Sequence, residues 1–269
     1  MPFIDSGPVK LHYEESGTGA PVVFCHGLAG HCERELPWTR ALAERGYRVV
    51  VYSARGHGKS SPLTNPDDYT FEAMRTDLAR VMDALEIERA IVGGGSMGAA
   101  TTLSFTLSAP DRVKALIQLG PAFGSAPIDM VAAGFSIFAD YIDEHGANEA
   151  IDKLIETVPL IEAMAAEDPG MIDDMREQWN SHVPSSIVAA MRGVPKSRPF
   201  TEITELESVS APTLIVASAG DPIHPLAVAE EYSRYIPNSE LRQVPLSPPL
   251  YRDPQTLAAL VGEFCDVAT

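Results

Sequence analysis

The feature that most constrains this chain is a rhythm. Short, β-branched apolar runs alternate with stretches whose apolar residues recur at helical spacing. Residues 9–14, 21–25, 48–52, 89–92, 115–119, 213–217 and 241–244 read as strands. Helices are expected at about 33–45, from Thr70 onward, after Ser96, and over 225–235 and 253–267. Most of these strands are apolar runs without alternation, as strands buried on both faces should be, and each is followed by a helix. That combination predicts βαβ units. The expected fold is therefore α/β, a mostly parallel central sheet flanked by helices. Between residues 122 and 201 the rhythm breaks, with no β-branched run in a segment rich in Met, Ala, Asp and Glu. The expected organisation is a core of residues 1–121 and 202–269 interrupted by a helical lid at 122–201, because insertions of such length usually carry function.

Composition narrows the partners. The 269 residues include 20 Lys+Arg and 37 Asp+Glu, a formal charge of −17. Such a surface repels phosphate backbones and anionic lipid heads, so neither nucleic acid nor a membrane is an expected partner. No apolar run reaches the roughly 18 residues of a membrane span, and residues 1–10 show no secretory signal, which points to the cytoplasm. The three cysteines, Cys25, Cys32 and Cys265, are too few for a disulfide framework. Cys25 and Cys32 lack metal-ligand spacing, and Cys25 lies in an apolar run where a buried, inert thiol is expected. No metal and no cofactor are expected. Oligomeric state is not legible.

The strongest chemical signal is Gly94-Gly95-Ser96-Met97-Gly98, a G-x-S-x-G placed after a strand and before a helix. A sharp strand-to-helix turn needs small residues on either side, and it lifts the Ser hydroxyl above the sheet at the positive end of the next helix. Ser96 is the expected nucleophile. The same glycines also spell G-x-G-x-x-G, but they follow a late strand, and Asp111 does not end a second strand as a ribose-binding acid should.

With these residues in place, the chain resembles the α/β-hydrolase family over nearly its whole length. His26-Gly27-Leu28 looks like the family's oxyanion loop, and Arg55-Gly56-His57-Gly58-Lys59-Ser60 looks like its R-G-x-G-x-S segment, with Ser53 where an acid is usual. Ala211-Pro212-Thr213-Leu214-Ile215-Val216 and Gly220-Asp221-Pro222 look like the strand and turn that deliver the acid. By that resemblance, the backbone N–H groups of Leu28 and Met97 form an oxyanion hole and Asp221 orients a catalytic base, although Asp221 also suits a helix cap. His26 and His57 are expected to be structural.

The resemblance then calls for a His after the last strand, and the stretch 244–254 contains none. The seven histidines are His12, His26, His31, His57, His145, His182 and His224. A Ser without a base is a poor nucleophile at neutral pH. His224, three residues after Asp221, is the leading replacement, with a plain pocket-lining role as the alternative. His31, His145 and His182 rank below it. The lid offers Phe123, Met130, Phe135, Phe138, Tyr141, Met164, Met171, Met175, Trp179 and Met191, either as its own core or as lining for a small apolar or aromatic substrate. Two readings stay open. One is a cofactor-free serine hydrolase acting on a small or medium apolar ester, thioester or lactone through an acyl-enzyme on Ser96. The other is a non-hydrolytic member of the fold, a lyase, a cyclase or a ligand-binding protein.

Overall fold

The computed structural model describes residues 2–246 and 253–268. Among them, eight strands form one sheet in the order β1-β2-β4-β3-β5-β6-β7-β8. They are β1 (Phe3–Ser6), β2 (Val9–Ser16), β3 (Ala20–Cys25), β4 (Tyr47–Tyr52), β5 (Ala90–Gly95), β6 (Val113–Leu119), β7 (Thr213–Ser218) and β8 (Ser239–Val244). Only β1 and β2 run antiparallel to their neighbours. From β4 to β8 every pairing is parallel, as apolar strands joined by helices require.

Side chains alternate across the sheet and both faces are covered. Val23, Val50, Val92, Leu116 and Ile215 point into one core, shared with helix α2 (Phe71–Ala84), α3 (Met97–Ser108) and α9 (Leu226–Tyr235). Val22, Val49, Val51, Ile91 and Leu214 point into the other, closed by α1 (Cys32–Ala43) and α10 (Pro254–Ala268). Helix α2 begins where its sequence says it should, with the Thr70 side chain accepting the Ala73 N–H at 3.1 Å. Ten of the twelve residues of α3 are buried, so it is a central helix rather than an amphipathic one.

Two boundaries differ instructively. Residues 9–14 lie in the second strand of the sheet, because a four-residue β1, too short to show periodicity, pairs outside them. Strand β5 extends through Gly93-Gly94-Gly95, since its ladder with β6 holds these glycines in place whatever their intrinsic preference.

Between β6 and β7 lie α4 (Asp129–His145), α5 (Ala147–Thr157), α6 (Pro159–Glu167), α7 (Gly170–Asn180) and α8 (Pro184–Gly193). They have a small core of their own, with Ala139, Ile142, Ala150, Val188 and Met191. Phe123, Met171 and Met191 are buried packing residues, Met130 is 90% exposed, and Phe135, Phe138, Tyr141 and Trp179 are half-buried. Among the described residues no helix is long and apolar enough to cross a membrane.

Candidate active site

Ser96 occupies the turn between β5 and α3 at φ 51°, ψ −111°, a conformation L residues rarely adopt. Its neighbours explain how the turn exists. A β-carbon on Gly94 would stand 2.2 Å from the carbonyl carbon of Gly98, and one on Gly98 would stand 1.9 Å from the Cys25 carbonyl oxygen. Neither position accepts a side chain, because α3 begins pressed against the end of β3. At Gly95, the variable position of the motif, a β-carbon would meet only the Leu119 carbonyl oxygen, at an ordinary 3.9 Å. The Ser96 N–H donates to the Leu119 carbonyl at 2.9 Å, tying the turn to the end of β6. Met97 opens α3, so its N–H has no partner within the helix.

The loop after β3 lies over this turn. A β-carbon on Gly27 would be 3.6 Å from Ser96 Cβ. Leu28 follows it, half-buried against the apolar groups of α3 and the helical segment. His26 is buried; its Nε2 accepts the Ala54 N–H at 2.8 Å and its Nδ1 donates to the Gly27 carbonyl at 2.7 Å. Both nitrogens are used, and burial pushes its pKa down to about 3, so the ring orders the loop and exchanges no proton at neutral pH. His57, also buried, holds the Arg55 carbonyl at 2.8 Å.

Asp221 and His224 meet in the turn after β7. His224 Nδ1 lies 2.9 Å from Asp221 Oδ2, and Asp221 Oδ1 accepts the backbone N–H groups of Ile223 and His224 at 2.9 and 3.0 Å. Burial alone would raise this carboxyl; the imidazole and the two N–H donors overcome it and bring the pKa down to about 2. The His224 ring lies over Gly120, where a β-carbon would be 3.2 Å from the ring. Gly120 follows Leu119, the residue that accepts the Ser96 N–H, and is itself bonded to Val216 on β7. The ends of β5, β6 and β7 thus bring the Ser96 turn and the Asp221–His224 pair to one edge of the sheet. His224 Nε2 is buried without a hydrogen-bond partner.

Residues 20–248 match the family described as alpha/beta hydrolase fold. The chain belongs to this family.

A hydrolase of Azorhizobium caulinodans, provisionally named carbamate hydrolase RutD, is 26% identical over 91% of this chain and 89% of its own. The 2-hydroxy-6-oxononadienedioate/2-hydroxy-6-oxononatrienedioate hydrolase of Paraburkholderia xenovorans is 29% identical over 87% of this chain and 82% of its own. Among solved structures, a thermophilic esterase from Thermogutta terrifontis superposes with a TM-score of 0.81 at 26% identity, covering 97% of this chain and 94% of that one. These relatives share hydrolase activity by name, and the kinship supports a hydrolase.

Within this alpha/beta hydrolase fold the remaining histidines sort by partner. His31 precedes α1, its Nδ1 3.5 Å from Glu33. His145 is exposed at the end of α4 between Glu144 and Glu149. His182, a low-ranked candidate base, is buried and committed to backbone: Nδ1 accepts the Gly58 N–H at 2.9 Å and Nε2 donates to the Ala29 carbonyl at 2.6 Å. The Gln178 amide donates to the same carbonyl at 2.9 Å. Ala29 is held at φ 63° next to Leu28, so Gln178 on α7 and His182, two residues beyond its end, grip the loop facing Ser96. Sequence reasoning missed this clamp, and it also missed Asp77. Arg55 forks onto the buried Asp77 carboxylate at 2.7 and 2.9 Å and so anchors the 55–60 turn without an acid at position 53. An Asp among Met74, Leu78 and Val81 on the buried stripe of α2 was the available signal. The stretch 247–252, part of the region where the sequence lacks the usual His, lies outside the described residues.

Proposed function

We propose that the chain is a cofactor-free serine hydrolase that cleaves small or medium apolar esters, thioesters or lactones through an acyl-enzyme on Ser96. The observation that carries this reading is the Asp221–His224 pair, whose free Nε2 lies on the same sheet edge as Ser96. His224 takes the Ser96 proton as Oγ attacks the substrate carbonyl. Asp221 holds the Nδ1–H tautomer and stabilises the imidazolium. The N–H groups of Leu28 and Met97 receive the oxyanion, where one donor contributes about 3–4 kcal/mol. His224 then gives the proton to the leaving alcohol or thiol, and water, activated by the same imidazole, releases the acid. Residues 122–201 serve as the lid. Half-buried Ile128, Phe135, Phe138 and Trp179 give the segment next to Leu28 the apolar and aromatic character that favours such substrates.

One observation favours a second reading, a non-hydrolytic lyase, cyclase or binding protein. His224 Nε2 makes no hydrogen bond, Ser96 Oγ included. Catalytic bonds are often long without substrate, so this does not outweigh the pairing with Asp221. A fluorophosphonate probe separates the readings. The hydrolase is expected to acquire one covalent adduct on Ser96, absent from Ser96→Ala, and to release free acid from an aryl ester. An unlabelled, folded protein would support the second reading instead.

A further inference from the structure

Away from the hydrolase site, one buried nitrogen faces a charge it does not satisfy. His12 lies on β2, its side chain fully buried, and its Nε2 has no hydrogen-bond partner. Glu14, two residues along the same strand and therefore on the same face, brings Oε1 to 3.5 Å from that nitrogen. Glu33, in the first turn of α1, closes the third side. One ligand atom from each of the three lies within 4.8 Å of the others, the one such group among the described residues.

We propose that His12 Nε2, Glu14 and Glu33 form a binding site for one divalent cation of the zinc type. Neighbouring ligand atoms in a tetrahedral zinc site with bonds of about 2.0–2.1 Å are about 3.4 Å apart. The His12–Glu14 separation already matches that edge, and Glu33 completes the set by turning its carboxylate. His31 Nδ1, outside that group but 3.5 Å from Glu33 Oε2 and also without a hydrogen-bond partner, is a second nitrogen near the site. A mixed nitrogen and carboxylate set suits zinc better than calcium or magnesium, which prefer oxygen alone.

The surroundings fit a ligand histidine. His12 Nδ1 lies 3.1 Å from Cys32 Sγ, and the Ser53 hydroxyl donates to the same sulfur at 3.3 Å. An Nδ1–H directed at that sulfur leaves the Nε2 lone pair facing two carboxylates, an arrangement that a cation resolves. The Lys59 ammonium pairs with Glu33 and is the internal competitor for the site. A bound ion ties β2 to the start of α1, next to the loop that faces Ser96. The sequence offered no metal spacing here, because the ligands come from two elements about twenty residues apart.

Zinc chloride titrated calorimetrically into metal-free protein tests the site. The background is His145→Ala, since exposed His145, 3.6 and 3.7 Å from Glu144 and Glu149, can take a zinc ion by itself. One ion per chain is expected, with a raised melting temperature. Glu14→Gln and Glu33→Gln each weaken binding at least about tenfold. Lys59→Met tightens it, because its competitor is gone. Cobalt in place of zinc is expected to give the intense visible absorption of a four-coordinate centre. No saturable binding in the His145→Ala chain, or binding that both Glu variants leave unchanged, overturns the proposal. No readout involves Ser96 or a substrate, so the result stands apart from the fate of the hydrolase reading.

Discussion

Two turns converge at Gly120, and they are built by opposite means. The Ser96 turn is set by exclusion: Gly94 and Gly98 have no room for a β-carbon, and Ser96 is left at φ 51°. A strained residue of this kind costs about 1–3 kcal/mol and persists because the packing of β5 and α3 over-determines it. The Asp221 turn is set by polar attraction. One carboxylate gathers the His224 ring and two backbone N–H groups, while a β-carbon on Gly220 would meet nothing within 4 Å. Sterics fix Ser96, and hydrogen bonds aim the His224 ring. Damage to the packing of the first turn should therefore register in stability, and damage to the second in activity with stability little changed.

The largest expected effect lies in the polar turn. Asp221→Asn keeps the shape but disturbs the His224 tautomer, so kcat/KM for an aryl ester should fall by up to about 10⁴-fold, with the melting temperature little changed. A parallel collapse of the melt would erase the contrast. Gly98→Ala should strike stability as well, losing about 3 kcal/mol in urea unfolding as the backbones of α3 and β3 are forced apart.

The clamp on Ala29 belongs to neither turn. His182→Gln should cost about 2 kcal/mol, roughly 1 for each of its two bonds. Its pH signature sharpens the test. Burial lowers His182 to about 4 against an ordinary 6.5, so the unfolded chain binds the proton more readily between those values. Stability from this group is complete above about pH 6.5 and drains away as pH falls toward 4. The urea midpoint of His182→Gln should vary less across that window than that of the parent, and equal slopes would contradict the assignment. Smallest of all, Thr70→Ala removes the α2 cap, far along the chain from both turns, and should cost about 1 kcal/mol in chemical denaturation without altering turnover.

The same contrast explains what the sequence disclosed. Gly94, Ser96 and Gly98 are legible because a steric requirement is written in residue type at fixed spacing. The parallel sheet is legible because strands buried on both faces must be apolar throughout. His224 is only half legible. Its distance from Asp221 along the chain is short, but its position over Gly120 depends on where three strands end. His182 and Gln178 reach Ala29 across about 150 residues, and no local pattern encodes such a contact. Asp77 was a polar residue in an apolar stripe, a visible anomaly whose partner Arg55 only the fold supplies. Strand β1 escaped notice because four residues cannot establish a period.

The decisive step in the proposed chemistry is the transfer of the Ser96 proton to His224. Pre-steady-state hydrolysis of p-nitrophenyl butyrate by His224→Ala, with folding checked by circular dichroism, tests this most directly. The expected result is a folded protein whose acylation burst slows by about 10²–10⁴-fold relative to the parent. A burst of unchanged rate and amplitude would contradict it and remove His224 from the chemistry.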